Sequence, residues 1–75
     1  MKETLIKLTK EIAVNEVAKI ESSIFDNEVA HILEDDLHLH FIECVAAKMY
    51  TIEEAIEIAN IVKSTEDIDF TRWHA

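Results

Sequence analysis

The sequence predicts an all-α fold: a small three-helix bundle with a short aromatic C-terminal tail, self-associating into an oligomer. Three observations carry the prediction. The chain holds no glycine and no proline in 75 residues, where average usage would place about nine. Tight hairpin turns draw on glycine for positive φ and on proline for a preset φ, so β connections lose their usual residues. Apolar residues recur at three- and four-residue steps along most of the chain, which is the helical period. Finally, Tyr50-Thr51-Ile52-Glu53-Glu54-Ala55 has the form of a capping box, with Thr51 as N-cap and Glu54 three residues on.

The first helix is expected over about residues 2–22. Leu5, Leu8 and Ile12, then Ala13, Val17, Ile20 and Ile24, draw one apolar stripe. Glu3, Lys7 and Glu11 stand four apart on its flank, and Glu ahead of Lys is the favourable order. The break falls within Ser22-Ser23-Ile24-Phe25-Asp26-Asn27, whose short polar side chains compete for backbone hydrogen bonds. Asp26 is the preferred N-cap of the next helix, with Phe25 and Ala30 placed as a hydrophobic staple. Ser23 with Asp26 three later is a rival capping box.

The second helix is expected over about residues 27–49. Val29, Leu33, Leu37, Phe41 and Val45 repeat every fourth residue and, with Ala30, form its expected core stripe. From Leu37 onward, Leu39, Ile42, Ala46 and Met49 add apolar surface on other sides, the pattern of a central helix covered by several neighbours. Leu37-His38-Leu39-His40-Phe41 alternates as a strand would, but no turn signal bounds it and its flanks suit a helix.

A third helix follows the capping box, over about residues 52–64, with Glu53 and Glu54 at its positive end and Lys63 in its last turn. Its apolar residues, Ile52, Ala55, Ile56, Ile58, Ala59, Ile61 and Val62, cover more than one face. Its own chain is expected to cover only one of them, which places Ile58 and Ile61 in an oligomer interface. Ser64-Thr65-Glu66-Asp67 can cap one further short turn. In the tail, residues 65–75, Phe70 and Trp73 are expected to dock on the bundle or on a neighbouring subunit.

Nearly half the residues, 49%, are apolar, more than the core of one small domain needs, which again favours a homo-oligomer. Residues 1–75 form a single expected domain. No apolar run reaches the roughly 18 residues of a membrane span, and no signal-peptide pattern opens the chain. Cys44 is the sole cysteine, so no internal disulfide forms, and a cytoplasmic, reducing location is expected.

The formal charge of −9 argues against direct contact with nucleic acid or with an anionic membrane. No basic residue lies between Lys19 and Lys48, whereas Glu21, Asp26, Glu28, Glu34, Asp35, Asp36 and Glu43 all do. Glu28, Glu34, Asp35 and Asp36 are therefore the expected contact surface for a basic protein partner.

Glu28, His31, Asp35 and His38 stand at steps of three, four and three on one helical face. Carboxylate and imidazole at that spacing are the ligands with which helical bundles hold iron, manganese or zinc. They are the candidate metal ligands, although a di-metal site would draw on several helices. His40 and Cys44, four apart, make at most half of a zinc site, and a hydrogen-bonded core histidine beside a buried thiol is the expected arrangement.

Glu53-Glu54-x-x-Glu57 followed by Glu66-x-x-Asp69 is similar to the acidic motif pair with which all-α nucleoside triphosphate pyrophosphohydrolases hold magnesium. Only eight residues separate the two parts and no basic cluster awaits the phosphates, so family membership does not follow. The chain also lacks a Gly-x-Ser-x-Gly turn and a glycine-rich phosphate loop. The sequence thus points away from an enzyme, implies no cofactor, and favours an acidic interaction protein, an inhibitor of a nucleic-acid-binding protein being one form. A metal-binding bundle and a structural assembly subunit are the alternatives.

Overall fold

The computed structural model of the chain describes residues 4–70. Three helices pack together, α1 over Lys10–Ser22, α2 over Asn27–Ala46 and α3 over Ile52–Lys63. A 3₁₀ turn, Ser64–Asp67, continues directly from α3, and no strand occurs among the described residues. The ensemble measures 34 × 31 × 20 Å. Its thin dimension is about two helix diameters, so each helix keeps an outward side.

The first helix begins later than the periodicity implies. Thr9 is its N-cap, with extended backbone and a side chain that accepts from the Ile12 amide. Residues 4–9 form no helix, yet Leu8 is fully buried and Leu5 packs against the core. Backbone groups here need partners from elsewhere, and α2 with its exit supplies them. The Leu8 amide donates to Sγ of Cys44 at 3.3 Å, the His40 ring donates from Nε2 to the Ile6 carbonyl, and the Tyr50 hydroxyl donates to the Leu8 carbonyl at 2.6 Å. The segment is a strap across the C-terminal half of α2.

Burial pushes the Tyr50 phenol well above the ordinary tyrosine range, and the nearby Glu54 carboxylate acts in the same direction. Tyr50→Phe keeps the ring and its stacking on Phe41 but leaves the Leu8 carbonyl without its donor. A loss of about 1–3 kcal/mol is expected, read from urea unfolding of the two proteins.

Asp26 caps α2, accepting from the Val29 amide at 3.2 Å. Phe25 makes no staple, since it stands 89% exposed. The four-residue stripe expected on α2 also needs correction. A strict repeat of four advances about 40° per step around a 3.6-residue helix, so Val29 and Val45 at its two ends turn outward and are exposed. The side facing the core is Ala30, Glu34, Leu37, Phe41 and Cys44, at steps of four and three. Nor is α2 enclosed by neighbours in its second half, where Leu39, Ile42 and Val45 stay exposed.

α2 ends at Ala46, and Lys48 takes a left-handed conformation, φ 58, where glycine would be the usual residue. α3 starts at Ile52, with the Thr51 hydroxyl accepting from the Glu54 amide and the Glu54 carboxylate accepting from the Thr51 amide, both at 3.1 Å. It packs against both α1 and α2. The apolar arc of α3 is therefore covered in part from within, while Ile52 and Ile56 stay exposed at 80% and 58%. Ile58 is 3% and Phe70 8% exposed, Ile61 packs against the same core, and Trp73 lies outside the described residues. Ile58 and Phe70, two of the expected oligomer contacts, belong instead to the interior of this chain.

Candidate functional site

The expected acidic surface separates into two sides of α2. Glu28, Asp35 and Asp36 are exposed, whereas Glu34 is only 5% exposed. Glu34 is four residues from Ala30 and three from Leu37, both buried, and this spacing places it on the core side. It therefore leaves the contact surface. Glu43, three and a half turns beyond residue 30, is exposed as well. Seven residues apart, Glu43 and Asp36 lie close on the helix surface, where Asp36 borders a cleft lined also by Ile6, Ile12 and Glu16, while Glu28, fifteen residues before Glu43, lies about 60° round the helix.

Among the described residues, Glu28, Asp36 and Glu43 have no ion-pair partner, and Asp35 meets only His31, with Nε2 and Oδ2 3.3 Å apart. The lysines serve other elements. Lys7 pairs with Glu54 at 3.3 Å and Lys10 with Glu57 at 3.1 Å, joining the N-terminal region to α3, while Lys19 pairs with Glu16 at 3.0 Å within α1. Among the described residues, the negative charge on the outward side of α2 is consequently left unbalanced at close range.

Apolar side chains share that outward side. Ile32, Leu39 and Ile42 are 53%, 55% and 60% exposed, and Ala46 is exposed beyond them. Their spacing of seven, three and four residues aligns them, on the far side of the helix from Ala30, Leu37 and Cys44. The carboxylates thus lie beside and between members of an apolar stripe.

The candidate metal ligands do not converge. His31 faces Asp35, but His38 turns to the buried Thr65, with Nε2 3.0 Å from Oγ1. Thr65 commits its own proton to the Val62 carbonyl at 3.0 Å, so His38 must donate from Nε2. Among the described residues, no group of three or more His, Cys, Asp or Glu side chains is placed to hold a metal ion. His40, half-buried, and Cys44 are turned onto the backbone of the strap rather than toward a shared ligand position.

The acidic string at the start of α3 is engaged as well. Glu54 closes the capping box and meets Lys7, and Glu57 meets Lys10. The hydrogen bond from the Thr51 backbone, followed by that from Lys7, holds the Glu54 carboxyl below its ordinary pKa of 4.5. Its folded pKa lies below the unfolded one, so the stabilisation is complete above about pH 4.5 and is lost as pH falls through the folded value. Urea unfolding from pH 7 to pH 3 should show wild type more stable than Glu54→Gln at neutral pH, with the gap closing below that point.

A groove of about 440 Å³ lies between α1 and α3, lined by Val14, Val17, Ala18, Glu21, Asn60, Ile61 and Ser64. Its only signal in the sequence is Val14 and Ala18, apolar residues beside the main stripe of the first helix.

Among the described residues no helix is long and apolar enough to cross a membrane. No protein-family model matches the chain, and neither a curated protein nor a solved structure is similar to it at a significant level.

Proposed function

We propose that the chain is a non-enzymatic interaction protein that presents the outward side of α2 to a basic protein partner. One observation carries this reading: Glu28, Asp35, Asp36 and Glu43 are exposed together while the three paired lysines, Lys7, Lys10 and Lys19, balance carboxylates elsewhere. Unbalanced surface charge of one sign accelerates encounter with the opposite sign and rejects partners of its own. A nucleic-acid-binding protein, whose basic groove accepts phosphates, has the matching chemistry.

Self-association remains part of the proposal, through exposed apolar residues in place of the buried Ile58 and Phe70. The assembly-subunit reading rests on those same exposed residues. The metal-binding reading has less support, because His31 and His38 engage different partners.

Charge reversal tests the main reading. Immobilised wild-type chain, challenged with soluble cell extract near physiological ionic strength, should retain basic proteins and release them as salt rises. The triple variant Glu28→Lys, Asp35→Lys and Asp36→Lys should retain about tenfold less. All three positions are exposed, so the fold is expected to survive, which circular dichroism checks. Equal retention by the two chains would overturn the acidic-surface reading.

A further inference from the structure

The outward side of α2 is a two-part surface, and we infer that it receives a basic amphipathic α-helix of a partner, seated along Ile32, Leu39, Ile42 and Ala46. The inference rests on the acidic-surface reading and adds the shape and pattern of the partner. Three of the four apolar positions are large side chains more than half exposed. Isolated exposed hydrophobes need no explanation, but an aligned series does. Steps of seven, three and four residues make the narrow seam by which one helix packs along another, at a shallow crossing angle. From Ile32 to Ala46 the seam runs about 21 Å, enough for roughly four turns of a partner helix.

Charge selects the occupant. Glu28, Asp35, Asp36 and Glu43 border or interrupt the seam, and no Lys or Arg occurs between Lys19 and Lys48. A second copy docking α2 on α2 would bring four carboxylates of each chain toward four of the other with no cation in the same helix to separate them. Like charges across an interface are unfavourable, and desolvation by an apolar seam increases the penalty. A helix with Leu or Ile at heptad-like positions and Lys or Arg beside them satisfies both parts of the surface.

The test uses the full chain and two synthetic 18-residue peptides of identical Leu, Ala and Lys composition, one patterned as an amphipathic helix and one scrambled. Fluorescence anisotropy should show the patterned peptide binding about tenfold or more tightly than the scrambled one. Amide shifts should centre on Ile32, Leu39 and Ile42. The double variant Ile32→Ser and Leu39→Ser should abolish the preference, whereas Ile52→Ser with Ile56→Ser, exposed positions on α3, should preserve it.

Equal binding of the two peptides to wild type overturns the helix-seam inference while leaving the acidic-surface reading in place. Absence of binding by either peptide removes both. A wild-type dimer in sedimentation that Ile32→Ser with Leu39→Ser disperses would make a second copy the occupant, which also overturns the inference.

Discussion

Phe70→Ala is expected to destabilise the fold by about 3–5 kcal/mol, the usual range for removing a buried aromatic ring. Phe70 joins Leu8, Ile20, Leu37, Ile58 and Val62 in one buried cluster, so truncation removes both its transfer free energy and its packing contacts. Against a total stability of roughly 4–11 kcal/mol for a chain of this length, such a loss leaves a large unfolded population. The effect should appear in the urea midpoint of the dilute protein and be independent of protein concentration. If Phe70 instead served a subunit contact, the variant would lose assembly mass while its monomer kept wild-type stability. A stability change below 1 kcal/mol would remove Phe70 from the folding core.

Leu8→Ala is expected to cost about 2–5 kcal/mol, although residue 8 belongs to no helix. Leu8 is fully buried, and its amide and carbonyl are tied to Cys44 and Tyr50. Its loss should therefore loosen the strap and expose the side of α2 beneath it. Amide hydrogen exchange separates two ways of failing. Faster exchange confined to residues 4–9 would mean that the strap opens on its own, whereas faster exchange throughout α2 would mean that strap and bundle unfold as one unit.

The local signals of the sequence reach as far as the elements that local chemistry decides. Thr51 and Glu54 mark the start of α3, and Asp26 that of α2, because an N-cap acts over three residues. Leu5 and Leu8 misled for the opposite reason. They continue the helical spacing of α1, but Cys44 and Tyr50, the partners of the Leu8 backbone, lie 36 and 42 positions away, outside any local window. Thr9 was present as a capping signal within an otherwise uninterrupted pattern. The end of α2 was legible only loosely, since Lys48 adopts the left-handed conformation without a glycine to announce it.

The acidic surface was half legible for a related reason. The gap between Lys19 and Lys48 is visible in any reading, but the side of α2 facing the core includes Glu34. A search for apolar residues alone passes over such a position and prefers Val29 and Val45, which turn outward. Once Glu34 is placed inward, the angular relation puts Ile32, Leu39 and Ile42 outside, with Glu43 beside them. Packing by α1 and α3 decides which of two apolar sides of α2 becomes interior, and no spacing within α2 does so alone.

The strap also sets an order of events during synthesis. Residues 4–9 are made well before the residues that hold them: 36 positions separate Leu8 from Cys44 and 42 separate it from Tyr50. At a translation rate of about 5–20 residues per second, that interval lasts about 2–8 s. Through it only neighbouring residues act on the segment, and their spacing favours a longer first helix. The arrival of Cys44 and Tyr50 then gives the Leu8 amide and carbonyl non-helical partners, so the conformation of residues 4–9 is settled by residues made much later.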